Sequence, residues 1–143
     1  MGAEPWFYCV PYQEDIEAAL EALKQREFAA GNYRMIDPDD PPATIEEAVE
    51  QMDADGTGTV LDMIGVADRP HEIDGESPNF CMVAPLAPEQ LIALFGTEKP
   101  TREMIEGGDA GFWESIDRGL GIYIIAYDGD NPSELFFAGY SFD

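Results

Sequence analysis

Two apolar segments near the C-terminus constrain the fold more than any other part of the chain. They are GIYIIAY, residues 121–127, and ELFFAGYSFD, residues 134–143, separated by DGDNPS. Aromatic and β-branched runs bounded by Gly, Asp, Asn and Pro read as a β-hairpin, here with a loop longer than two residues. Alternate side chains of an extended strand share a face. Phe136, Ala138, Tyr140 and Phe142 therefore point one way, and Leu135 and Phe137 the other. Both faces are apolar. Such a strand is either central and covered on both sides, or it offers one face to a partner.

The remaining segments supply the rest of an α+β domain. WFYCVPY, residues 6–12, reads as a first strand, and Pro11 makes its end an edge or a turn. In EDIEAALEALKQREFAAG, Ile16, Leu20, Leu23 and Ala30, with Ala19 beside them, fall on one stripe at helical spacing. Glu14 and Asp15 suit the positive end of that helix, and Gly31 with Asn32 stops it. After the proline-rich acidic loop DPDDPPA, Thr44 and Glu47 form a capping box for a second helix, IEEAVEQM. TVLDMIGVA, residues 59–67, and Phe80–Ala84 within FCMVAPL read as strands. APEQLIALFG reads as a short helix with Pro88 in its first turn and Gly96 at its end. Residues 101–105 and 110–118 are two helical pieces interrupted at Gly107 and Gly108. The order β-α-α-β-β-α-α-β-β predicts one domain over residues 1–143. Its sheet is expected to be largely antiparallel, with about five strands, and its helices to pack on one face as a single pair of layers. At 143 residues and 45% hydrophobic composition, such a core needs no metal or disulfide staple.

Charge narrows the partners. Thirty acidic residues oppose seven basic ones, a formal net charge of -23. Direct nucleic-acid binding is disfavoured, because that affinity comes from Lys and Arg displacing counterions. Anionic membrane surfaces are disfavoured for the same reason. Between Met35 and Asp68 lie ten acids and no Lys or Arg. Such a block is either a solvated face or a surface that steers a basic partner into contact. Two distant cysteines, Cys9 and Cys81, form no paired motif. The N-terminus MGAEPWFYCV lacks the basic start and apolar core of a signal peptide, and the chain has no apolar run of membrane-spanning length. A cytoplasmic protein with reduced thiols is expected.

One stretch imitates a calcium loop. From Asp53, an EF-hand register places Asp53, Asp55 and Thr57 at ligand positions and Gly58 at the obligatory glycine. It then fails, because Leu61 and Ile64 stand where a ligand and the bidentate Glu belong. The same residues also read as a helix stop and a turn. No metal is expected, with Asp53, Asp55 and Thr57 as a weak candidate. A cysteine nucleophile needs a neighbouring base, and His71 is the sole histidine. Cys9 and Cys81 sit in apolar segments and read as small buried hydrophobes. The chain carries no zinc spacing, nucleophile elbow, Walker loop or dinucleotide fingerprint, so no cofactor is implied.

The segments DIEAALEALKQREFAAGNYR, LFGTEKPTREM and FFAGYSFD resemble those of small acidic bacterial proteins to which no activity is attached. That resemblance implies no catalytic residue. The residues themselves point first to a non-enzymatic domain that binds a basic protein, such as an immunity protein or inhibitor covering a nuclease. Its expected contact residues are Asp37, Asp39, Asp40, Glu46, Glu47 and Glu50. The competing reading is a small enzyme or ligand-binding domain with a pocket between sheet and helices, using Cys81, His71 and Tyr140. A degenerate calcium module is the third. The sequence leaves the oligomeric state open.

Overall fold

The C-terminal strand is central, as its two apolar faces require. The computed structural model describes residues 5–33, 37, 39–52, 57–67, 81–107, 116 and 119–140. The strands are β1 (Pro5–Pro11), β2 (Gly65–Val66), β3 (Met82–Pro85), β4 (Gly121–Asp128) and β5 (Asn131–Tyr140). The helices are α1 (Ile16–Ala30), α2 (Ile45–Met52), α3 (Pro88–Phe95) and α4 (Arg102–Gly107). The sheet order is β1-β5-β4-β3-β2. β5 is antiparallel to both of its neighbours, but β4 with β3 and β3 with β2 are parallel. The sheet is therefore mixed, which corrects the expectation of a largely antiparallel one. The long connections before β3 and β4 allow the chain to return to the same end, as parallel pairing requires.

Alternation along β5 divides the core. Leu135 and Phe137 join Trp6, Val10, Ala19, Leu20, Leu23, Val60, Met63 and Val83 in one cluster. Phe136 and Ala138 join Leu86, Ile105, Ile116, Leu120, Ile122, Ile124 and Ala126 in the other. Residues of α1 contribute to the first cluster and residues of α3 and α4 to the second, rather than all to one. Phe136 and Phe137 are both fully buried.

Local signals place the elements. Asp15 caps α1, its carboxylate accepting from Ala18 N at 3.1 Å, and Gly31 closes it at φ +73°. Within α1 the predicted stripe shifts: Ala30 is exposed, while Lys24 and Glu27 are buried. Thr44 Oγ1 accepts from Glu47 N, but Glu47 Oε2 reaches past Thr44 to Ala43 N at 2.7 Å. The hairpin turn is tighter than expected. β4 and β5 are joined by Gly129 and Asp130 alone, with Gly129 at φ +67°, the conformation that a two-residue turn demands at its first position. The register slips between Ala126 and Tyr127, which leaves Ser133 as an extra residue. Its hydroxyl donates to Ala126 O at 3.2 Å. This bulge accommodates Pro132, which has no N–H for the ladder.

Segment 59–67 departs further from expectation. Most of it is not a strand: Val60–Asp62 is a 3₁₀ turn, and only Gly65–Val66 pairs. The predicted strand at 80–84 runs instead over Met82–Pro85, because Cys81 lies in the left-handed region at φ +63°.

Trp6 ties the antiparallel half together. It pairs with Gly139, which pairs with Gly121, which pairs with Val83. The indole lies over both glycines. A Cβ on Gly139 would overlap the Trp6 ring and stand 2.6 Å from the Leu120 carbonyl oxygen, and one on Gly121 would stand 2.9 Å from the ring. Gly139→Ala should lower stability by about 3 kcal/mol through overpacking, read as a fall in the urea midpoint. Adding Trp6→Phe should recover part of that loss, because the Leu120 oxygen cannot move aside. An unchanged midpoint for Gly139→Ala would contradict this packing.

Candidate functional site

Helix α1 and helix α2 leave a hollow between them, floored by the 3₁₀ turn. Its volume is about 450 Å³, within the range of small-ligand sites. The apolar lining is Ile45, Val49, Leu61, Met63 and Ile64. The polar lining among the described residues is Glu21, Glu46, Glu50 and Asp62, with Lys24 as the one base among them. A neighbouring hollow of about 230 Å³ shares Glu21, Lys24, Ile45 and Glu46 as lining, so the two lie side by side along the α1–α2 groove.

Helical spacing produces this lining. Lys24 follows Leu20 by one turn, so it lies on the buried stripe of α1. Its side chain is 9% exposed, and its Nζ lies 3.8 Å from Glu21 Oε2. In α2, Ile45 and Ala48 turn inward while Glu46 and Glu50 stay exposed. Neither the Glu46 nor the Glu50 carboxylate has a hydrogen bond or ion pair among the described residues.

The floor is fixed by a relay of hydrogen bonds. Asp62 is buried, and its Oδ1 accepts from Thr57 N at 2.8 Å and from Thr57 Oγ1 at 3.0 Å. Since the Thr57 proton goes to Asp62, Thr59 Oγ1 donates to Thr57 Oγ1 at 2.8 Å. Leu61 N then donates to Thr59 Oγ1 at 3.2 Å. Asp62 thus closes the turn that packs buried Leu61 and Met63 beneath the groove and leaves Ile64 exposed at its edge. Asp62→Ala strands the buried Thr57 N–H and should cost about 3 kcal/mol; Asp62→Asn should cost less, because its amide oxygen still accepts. Urea denaturation of both variants measures this, and equal stability for Asp62→Ala and the native chain would contradict it.

The sequence-predicted residues separate. Glu46 and Glu50 reach the groove. Glu47 is exposed, with its carboxylate committed to Ala43 N. Asp37, Asp39 and Asp40 are exposed in a turn, where Asp37 accepts from Asp39 N at 3.0 Å and from Asp40 N at 3.0 Å. Of the calcium candidates, Asp53 and Asp55 lie outside the described residues. Thr57 lies within them, 1% exposed, with its hydroxyl engaged by Asp62 and Thr59 rather than turned toward an ion. Sequence reasoning missed Glu21, Lys24, Asp62 and Ile64. A lysine on the apolar stripe of α1 was the available signal.

Of the enzymatic candidates, Cys81 and Tyr140 are among the described residues. His71 lies outside the described residues. Cys81 donates its backbone N–H to Gly119 O at 2.7 Å, and Gly119 N donates to Tyr140 O, so Cys81 and Tyr140 share a backbone neighbour. Tyr140 packs at the margin of the second cluster. Burial raises the Cys81 thiol pKa, and the charge of Asp62 adds to the shift. Cys9 Sγ donates to Glu134 Oε2 at 3.0 Å, and Arg102 Nη1 donates to the same oxygen at 2.9 Å. Burial first, then the hydrogen bond and charge of Glu134, push the Cys9 thiol up to about 11. Neither setting favours a thiolate.

Because the folded pKa of Cys9 exceeds the ordinary 9.0, the fold holds this proton more tightly than the unfolded chain. Its contribution to stability is full below pH 9.0 and is lost as pH rises through about 11. In a Cys81→Ser background, thiolate absorbance should rise with a midpoint near 11, and Glu134→Gln should lower that midpoint. A native midpoint at 9.0 would contradict the arrangement.

Among the described residues no helix is long and apolar enough to cross a membrane. No family model, no curated protein and no solved structure matches this chain.

Proposed function

We propose that this chain is a protein-binding domain that takes a basic partner on its α1–α2 side, in the manner of an inhibitor covering a nucleic-acid-binding surface. The observation that carries this reading is the pair Glu46 and Glu50. Both are exposed and lack an ion pair among the described residues, at the rim of an apolar-floored hollow. The net charge of -23 adds long-range attraction for a basic protein. The same field repels nucleic acid and anionic membrane. The reading narrows the predicted contact set from six acids to those on the groove. Asp37, Asp39 and Asp40 contribute steering, and Glu47 serves the helix cap.

The test is capture of basic proteins from lysate at low and high salt, with quantitative binding of whichever is retained. Glu46→Gln with Glu50→Gln should weaken that complex by about tenfold, as two charge pairs at up to 1 kcal/mol each allow. Asp39→Asn with Asp40→Asn should change chiefly the association rate. Retention that ignores salt and both double variants would defeat the proposal.

A further inference from the structure

The groove has more apolar lining than a bare cation needs. Its accessible apolar surface comes from half-buried Val49 and from Ile64, which is 72% exposed, the most exposed large hydrophobic residue among those described, above buried Ile45, Leu61 and Met63. Water against such a surface is unfavourable, and an apolar group that replaces it is favoured. Around this floor stand Glu46 and Glu50. Glu21 is already met by Lys24 at 3.8 Å. A wholly apolar occupant would leave the two free carboxylates without a counter-charge. A wholly cationic one would desolvate against the floor without compensation.

We infer that the groove seats an apolar side chain of a partner's basic segment, with cationic residues flanking that side chain and meeting Glu46 and Glu50. This rests on the reading that the partner is basic, and adds to it the anchor that gives specificity. Charge at a rim governs mainly approach, whereas a buried side chain in a fitted hollow governs residence. Lys24 contributes by holding Glu21 on the α1 wall, which keeps the carboxylates concentrated on the α2 rim. A second copy of this chain is a poor occupant, because its own charge of -23 meets the same carboxylates.

The experiment uses the full chain and two fluorescein-labelled peptides of equal positive charge. In one, two leucines stand among lysines and glycines; in the other, serines replace the leucines. An acidic peptide serves as control. At physiological ionic strength the leucine peptide should bind about tenfold more tightly than the serine peptide, the usual discrimination of an apolar pocket. Val49→Phe, which fills the hollow, should bring that ratio close to one. So should Ile64→Ser, which alters an exposed position and leaves the melting temperature unchanged. A ratio near one in the native chain, or a ratio that both variants leave intact, overturns the anchor. The basic-partner reading then still stands if Glu46→Gln with Glu50→Gln weakens both peptides. If neither basic peptide outbinds the acidic control, the anchor and the basic-partner reading fail together. A concentration-dependent dimer in sedimentation, abolished by Val49→Phe, would assign the groove to a second copy and overturn the proposal.

Discussion

The packing of Trp6 across Gly139 and Gly121 is the contact on which the antiparallel half of this molecule depends. One aromatic side chain on an edge strand spans two strands, because neither carries a side chain beneath it. Met63 and Val83 border the same site, so the indole also meets the segment that leads into the parallel half. The arrangement explains why glycine stands in the middle of two otherwise β-branched and aromatic strands, where it is intrinsically unfavourable. It also explains how an edge strand bounded by prolines stays seated. Its hold comes from area and fit on one face, as well as from its ladder with β5.

The two halves of the core then assign different tasks to the two faces. One face is closed over Phe136 and Ala138. The other is closed over Leu135 and Phe137 by α1, the 3₁₀ turn and Trp6. α2 stands beside α1 and the turn, and it buries only Ile45 and Ala48. A helix held by so small a face leaves a gap at its margin, and the groove is that gap. Its floor is rigid because Asp62 ties down Thr57, and its rim is acidic because the exposed side of α2 is acidic. The light docking of α2 thus leaves both the hollow and its acidic rim open.

Much of this was legible in the residues. The hairpin was, because two aromatic and β-branched runs, residues 121–127 and 134–143, flank a segment of Gly, Asp, Asn and Pro. The caps of α1 and α3 were, because Asp15, Gly31 and Gly96 have local reasons to sit where they do. The parallel pairings were not, since strand direction is set by long connections that carry no periodic signal. The 3₁₀ turn was misread as strand. Val60, Leu61 and Met63 are apolar enough for a strand, but Asp62 folds back onto Thr57 and overrides that preference. The two-residue turn was hidden by Pro132 and Ser133, which read as loop but belong to a bulged strand. At the site, Glu46 and Glu50 were visible as part of an acidic block. Glu21, Lys24 and Ile64 were not, because only tertiary packing brings α1 and the turn beside α2.

The groove brings two kinds of surface together. What converges is an apolar floor and carboxylates, a combination suited to a side chain that is greasy with charged neighbours. The most direct measurement of this account is an amide chemical-shift titration of the isotope-labelled chain with a lysine- and leucine-bearing peptide. The account predicts saturable shifts centred on Glu21, Lys24, Glu46, Val49, Glu50 and Ile64, with the β4–β5 hairpin and α4 quiet. Shifts spread evenly over the acidic surface, or centred on the hairpin, would contradict it.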